Sequence, residues 1–538
     1  MNPKIIRLAI CAATATTLMH GAIQAELSAP RPNVVFILAD DLGWKDTSLY
    51  GSKFCETPNL DKLAKRGMLF TQAYAANPLC SPTRASIMTG LYPARIGITE
   101  PACHLPVVRL EAKLVEKAAP FQPALQVSTA TRLKTEYYTL AEALHDVGYT
   151  TGHFGKWHLG QEPYSPLEQG FKVDVPHYSG PGPTGSYKGP WRFPAELNFT
   201  GQPGEHIEDR MATEAIRFIR SNQDKPFFLN YWAFSVHGPF DGKADLIKKY
   251  EAKADPKDPQ RCPVYGAMVQ TFDENVGRLI DVLDELKLSD NTIIVFFSDN
   301  GGNTSNRIDG IRGTKYDIND PVNGIPPTSN APLRGGKATI YEGGTRVPCV
   351  VVWPGKLKPD SRSDALLSSV DWYPTILDMT RVMPKQAVKF DGVSQTPALL
   401  GRGAPRDTAF CSFPHYVPAT GGVPSVWVRR GDWKLIRFFC DTPEQTDRFE
   451  LYNLKSDIGE TKNLAAEHPD MVKKFDALIH QHLKDIDAVI PVKNPAYDST
   501  AKAPEPGKKT QKAKKPVDNK TSGGKDVRQQ IEKSSDAI

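Results

Sequence analysis

Asn33-Val34-Val35-Phe36-Ile37-Leu38-Ala39-Asp40-Asp41 decides the fold. Its first seven residues carry no charge and are rich in β-branched and large apolar side chains, so they read as a parallel strand buried on both faces. Ligands of open α/β sheets bind beyond the carboxyl ends of the strands, and this strand ends in two adjacent acids. Paired carboxylates repel unless a cation lies between them, although Asp40-Asp41-Leu42-Gly43 taken alone is also an ordinary turn. Two later runs have the same character. Residues 226–234 lead into Ser235-Val236-His237-Gly238-Pro239, and residues 291–298 lead into Asp299-Asn300-Gly301-Gly302. Amphipathic helices are expected over 205–222 and 265–288, the second with Met268, Phe272, Val276, Leu279 and Leu283 in near-helical register. Strands alternating with helices make this an α/β protein.

At 538 residues the chain can hold one large domain and a smaller one. The formal net charge of +5 belongs to the end of the chain, because residues 499–538 carry ten Lys or Arg against five Asp or Glu. The rest is near neutral, which argues against a nucleic-acid surface. Residues 1–25 read as an export signal: Lys4 and Arg7, then an apolar run from Leu8 to Leu18, then Ile23-Gln24-Ala25 before Glu26. That run is too short to span a bilayer, and no later stretch qualifies. The expected location is periplasmic or secreted. Beyond the leader stand Cys55, Cys80, Cys103, Cys262, Cys349, Cys411 and Cys440, with Cys411–Cys440 the expected pair if any forms.

The chemistry centres on Leu79-Cys80-Ser81-Pro82-Thr83-Arg84-Ala85-Ser86-Ile87-Met88-Thr89-Gly90. Cysteine, one residue, proline, one residue, arginine is the pattern read by systems that oxidise cysteine to formylglycine. The short pattern alone would also suit a buried or disulfide-bonded cysteine. Residues 148–160 follow with Gly155-Lys156-Trp157-His158-Leu159-Gly160, and residues 333–348 contain Gly336-Lys337 and Glu342-Gly343-Gly344-Thr345-Arg346. With five such motifs in order over residues 31–490, the chain resembles the type I, formylglycine-dependent sulfatases of the alkaline-phosphatase superfamily.

That resemblance implies a large mixed sheet sandwiched by helices, with a smaller C-terminal α+β domain of antiparallel sheet and helix. It implies that Asp40, Asp41, Asp299, Asn300 and one oxygen of modified Cys80 bind a divalent cation. Calcium suits this flexible all-oxygen set, and magnesium is the alternative. Lys156 and Lys337 are expected on the substrate's sulfate, and Arg84 on the ionised hydroxyl of the aldehyde hydrate. His237 would protonate the leaving oxygen, and His158 or Asp299 would act as base. A hydrated aldehyde offers one hydroxyl to attack sulfur and a second to expel sulfate. Glu342 and Arg346 are expected to brace their loop, and Asp371 to cap a helix. The expected partners are a sulfated carbohydrate (an algal polysaccharide or glycosaminoglycan fragment) and a formylglycine-generating maturation enzyme. Phosphodiesterases and phosphonate monoester hydrolases share the aldehyde and metal, and an unconverted Cys80 would leave a non-catalytic binder of sulfated glycans.

The domain reading is a signal peptide over 1–25, a catalytic domain over 26–405, an α+β subdomain over 406–490 and a disordered Lys-rich tail over 491–538. Residues 103–135, 176–204 and 303–330 read as loops at the mouth of the site. In the first, His104 reads as a bystander, since a loop histidine without a visible partner is seldom a ligand. In the second, Tyr178, Tyr187 and Trp191 are candidates to shape a sugar pocket.

Overall fold

A computed structural model describes residues 31–305 and 326–503. The export-signal reading, most of the third mouth loop and the end of the Lys-rich tail lie outside the described residues. The main sheet takes its strands from along the catalytic region: β1 (Asn33–Ala39), β2 (Met68–Tyr74), β3 (Thr150–Gly155), β4 (Val173–Val175), β5 (Phe227–Trp232), β6 (Thr292–Ser298), β7 (Arg346–Val352) and β8 (Ser361–Ser363). Their spatial order is β8-β2-β7-β6-β1-β5-β3-β4. β1 lies at the centre, parallel to both β5 and β6, while β7 runs antiparallel to its neighbours. The sheet is therefore mixed, and the expected architecture is the observed one.

Side chains alternate along β1, and both sets are buried, which explains the continuous apolar run. Val35, Ile37 and Ala39 join a core with the helices Ile207–Ser221 and Pro263–Glu285. Val34, Phe36 and Leu38 face the opposite core, built with the helices Cys80–Thr89, Leu140–His145 and Trp372–Thr380. The Cys80–Thr89 helix is buried along its whole length, and Gly90 ends it at φ 70°, a left-handed conformation that glycine adopts freely. Thr139 and Glu142 form the reciprocal capping box their spacing predicts. Thr57 precedes the helix Pro58–Lys65 without a side-chain cap on it; its hydroxyl accepts the Ser48 N–H at 3.0 Å.

The C-terminal sheet is an antiparallel meander of β9 (Thr408–Phe413), β10 (Ser425–Arg430), β11 (Trp433–Phe438) and β12 (Arg448–Asn453). Helix Pro469–Asp485 covers its outer face. The inner face packs on Tyr74, Leu79, Ala338 and Ile340, so this sheet backs the residues flanking Cys80 and Lys337. Buried charges tie the two parts together. Lys434 on β11 lies 3.0 Å from Glu342 and 2.8 Å from Glu460, and Arg346 lies 3.4 Å from Glu342. Glu342 and Arg346 thus brace their loop as expected. Asp371 receives Arg406 and the Ser368 N–H, a structural role as expected, though its side chain closes the short turn Ser369–Asp371 and does not cap the helix Trp372–Thr380.

Two expectations are corrected. Cys411 and Cys440 are both free thiols. Cys411 sits on β9 opposite Trp427, which pairs in turn with Ile436, and Cys440 follows two residues after β11. Two inter-strand spacings of about 4.8 Å separate β9 from β11, beyond the roughly 7 Å Cα reach of a disulfide. The chain also stays ordered past residue 490. Val492–Lys493 pairs with Ala124–Leu125, and buried Asn494 donates to the carbonyls of Ala119 (3.0 Å) and Gln122 (2.8 Å). Here one side-chain amide satisfies loop backbone, a device without periodicity.

Candidate active site

The floor of the cleft is built from the carboxyl ends of the central strands. β1 delivers Asp40 and Asp41, both fully buried. Successive side chains of a strand point to opposite faces, but Asp41 has φ 61° and breaks that alternation. Ligand atoms of Asp40, Asp41, Cys80 and His237 consequently all lie within 4.8 Å of one another. β6 delivers Asp299 and Asn300. The two strand ends interlock: the Asp41 N–H donates to Asp299 Oδ1 at 3.1 Å, and Asn300 Nδ2 donates to Asp41 Oδ1 at 2.8 Å.

Three cations complete the floor. Lys156, just past β3, donates to Asp40 Oδ2 at 2.6 Å. Lys337 donates to Asp41 Oδ2 at 2.8 Å, its loop held by the Lys337 N–H on the Gly302 carbonyl and the Ala338 N–H on the Pro78 carbonyl, both at 3.0 Å. Arg84 lies one turn after Cys80 on the same helix. Its Nε and Nη2 donate to Asp299 Oδ2 at 2.9 and 2.7 Å, its Nη1 donates to the Lys156 carbonyl at 2.6 Å, and its plane lies over Trp232.

The electrostatics follow from this crowding. Burial alone would raise the Asp41 carboxyl, but Lys337, His237 and Lys156 overcome it and hold the group well below the usual carboxylate range. Asp299 is pushed up to about 6 by burial and by Asp40, with Arg84 pulling the other way. Burial pushes the Cys80 thiol up to about 12 against the pull of Lys156 and Lys337. His237 is lowered to about 3 by burial, Lys337 and Lys156. Its Nδ1 lies 2.7 Å from the Gly238 carbonyl and donates there, which leaves Nε2 to the cleft, 3.9 Å from Asp41.

Two buried oxygens of the floor, Asp40 Oδ1 and Asn300 Oδ1, have no hydrogen-bond partner among the described residues. Orphaned buried acceptors are costly, and two hard oxygens beside the Asp41 carboxylate fit a cation of calcium or magnesium type. Asp299 stands beside them, oriented by Arg84 and the Asp41 N–H.

His158 lies at φ 56°, so the segment after Lys156 turns instead of running extended. Its carbonyl accepts the Ser81 hydroxyl at 2.6 Å, and its Nε2 meets His104 Nδ1 at 2.9 Å. His104 is therefore no bystander. His153 faces away, packed against Trp157, Phe171 and Trp232. In the second mouth loop, Tyr187 and Trp191 are buried, and the Tyr187 hydroxyl lies 2.5 and 2.8 Å from the carbonyls of Phe234 and His237. Tyr178, half-buried, lines a separate cavity of about 350 Å³ with Trp157 and His177. Sequence reasoning missed three supports: Arg132, which holds the first mouth loop; Glu208, which accepts the Ser235 N–H at 2.7 Å; and Thr420, whose hydroxyl donates to the Ala338 carbonyl at 2.9 Å from a C-terminal loop.

An α/β sheet whose strand ends carry an acidic, cation-ready cluster beside the first residue of a buried helix defines a hydrolase of the alkaline-phosphatase type. Within that class the chain belongs to the sulfatase family, whose pattern it matches over residues 32–382, and it is a sulfuric ester hydrolase. The C-terminal region of N-sulphoglucosamine sulphohydrolase matches over residues 336–488. The chain is 30% identical to N-acetylgalactosamine-6-sulfatase of Sus scrofa, with 85% of this chain and 86% of the relative covered. It is 31% identical to human arylsulfatase A over 82% and 85% of the two chains. Among solved structures, Ps i-CgsB superposes with a TM-score of 0.66 at 25% identity, covering 87% of this chain and 95% of that one. A second structure of Ps i-CgsB is a complex with k-i-k-neocarrahexaose.

Proposed function

We propose that this protein is exported, is matured to formylglycine at Cys80, and removes sulfate from a sulfated carbohydrate. The observation that carries the reading is the charge balance of the floor. Asp40, Asp41 and Asp299 bring three negative charges, and Arg84, Lys156 and Lys337 bring three positive ones. A divalent cation added to this set leaves room for two negative charges. A sulfate monoester and an ionised hydroxyl at position 80 supply them.

Cys80 itself is a poor nucleophile, since burial keeps its thiol protonated at neutral pH. As a hydrated aldehyde, position 80 supplies an oxygen nucleophile and a second hydroxyl for sulfate release. Asp40, Asp41, Asp299 and Asn300 would hold calcium, or magnesium in its place, which supplies charge that lowers the pKa of a nearby hydroxyl and polarises a sulfate oxygen. Lys156 and Lys337 orient the sulfate and neutralise it as charge develops. Arg84, anchored on Asp299, supports the hydroxyl end of position 80. His237 presents Nε2 to the leaving oxygen. Burial, then repulsion from Lys337 and Lys156, keeps the ring neutral; the substrate's negative charge offsets the repulsion and so favours the acid form. His158, buried and neutral, takes the proton when sulfate departs.

The named relatives and the oligosaccharide complex support a sulfated N-acetylgalactosamine glycan or a neocarrahexaose-type oligosaccharide as the first class to assay. Inorganic sulfate release should be compared with phosphate release from esters of matched leaving group. A preference for the phosphate ester would overturn the proposal. Chelation should lower the melting temperature, and calcium should restore it, whether or not the assay substrate is the right one.

A further inference from the structure

His104 and His158 are brought together from 54 residues apart, His104 Nδ1 to His158 Nε2 at 2.9 Å. The contact is held by construction on both sides. Arg132, 1% exposed, donates from Nη1 to the Cys103 carbonyl at 3.1 Å and from Nη2 to the Leu105 carbonyl at 2.8 Å, clamping the backbone on either side of His104. Ser81, the neighbour of the nucleophile position, holds the His158 carbonyl. His158 Nδ1 is buried and has no hydrogen-bond partner among the described residues. Both rings are lowered, His104 by burial and Lys156, His158 by burial, Lys156 and His104, so both are neutral at pH 7 and one proton lies between them.

We infer that His104 is a positioning residue for the sulfatase reaction: by engaging His158 Nε2 through its own Nδ1, it fixes the ring and tautomer of His158 and leaves Nδ1 of His158 as the nitrogen that serves position 80. The inference rests on the active-site reading above. When His158 Nε2 carries the shared proton, His158 Nδ1 is a bare acceptor. As that atom takes a proton, the Nε2 proton stays on His158, hydrogen-bonded to His104 Nδ1, and that bond supports the charge the ring acquires.

The test uses the full-length, calcium-loaded enzyme with formylglycine occupancy at position 80 matched by peptide mass spectrometry, assayed on 4-nitrophenyl sulfate and on the sulfated sugar the parent turns over best. An asparagine amide falls where histidine has Nδ1, and a glutamine amide falls where it has Nε2. H104N should therefore keep kcat within about 3-fold of the parent, while H104Q and H104A lose about 10–100-fold in kcat with KM little changed, the range typical of a lost supporting partner. Parent-like kcat in H104A, or equal losses in H104N and H104Q, would overturn the inference. H158A in the same series keeps the two readings apart, because parent-like turnover there contradicts the assignment of the site itself. If H104A fails to fold, the comparison of H104N with H104Q still decides.

Discussion

The floor and the walls of this cleft are built on different principles. The floor is made of side chains that pair with side chains: Lys156 with Asp40, Lys337 with Asp41, Arg84 with Asp299, all buried at strand ends. The walls are loops held by side chains that grip backbone: Arg132 on Cys103 and Leu105, Thr420 on Ala338, Tyr187 on Phe234 and His237. The first arrangement sets charge and so sets the chemistry. The second sets position, and it tolerates change in the residues between the grips. A family can therefore keep one floor while its walls diverge.

If that division is right, the largest effect should come from the floor. Lys337→Ala removes one of the two cations proposed to face the sulfate and leaves Asp41 less compensated, and kcat/KM should fall about 10²–10³-fold, as for loss of one preorganised electrostatic contact. A fall of less than 5-fold in steady-state kinetics would place the sulfate elsewhere. A wall support should cost less. Arg132→Ala frees the loop that carries His104, and kcat should drop about 10-fold with a stability loss of about 2 kcal/mol by denaturant titration. A larger rate loss than that of K337A would erase the distinction between floor and wall.

How much of this was legible in the sequence follows the same division. Strand ends could be read because β1 and β6 are uncharged, mostly apolar runs that stop at Asp40 and Asp299, and β5, though it carries Asn230, ends at Trp232 shortly before His237. The lysines and Arg84 could be read through resemblance, since each stands inside a long ordered motif. The walls could not be read. A side chain that satisfies a distant carbonyl leaves no period, and His104 shows its meaning only when the fold brings His158 to it. Arg132, Thr420 and Asn494 escaped for the same reason. The expected Cys411–Cys440 pair rested on both lying in the C-terminal region, and β10 lies between β9, which carries Cys411, and β11, which Cys440 follows.

Glu208 tests a support lying between the two kinds, since it grips the turn that carries His237. Burial pushes its carboxyl up to about 7 from a usual 4.5. The native state then binds a proton that the unfolded chain has released. The group's contribution to stability is present below about pH 4.5 and is lost as pH rises through about 7. Glu208→Gln should flatten the stability profile across that window by up to about 3 kcal/mol, read by urea unfolding at a series of pH values. An unchanged profile would show that another group titrates there. The smallest effect is expected from Thr420→Ala, which removes one neutral hydrogen bond worth about 1 kcal/mol. It should change KM by no more than about 3-fold and leave kcat alone, the signature of a wall.

The central claim is that position 80 carries an aldehyde in a floor whose charges are balanced to receive it. Peptide mass spectrometry across Cys80, on protein made in its native host and shown to release sulfate, tests it most directly. The account predicts formylglycine in the active preparation and no turnover in C80A. An active enzyme with an unmodified thiol at position 80 would contradict it.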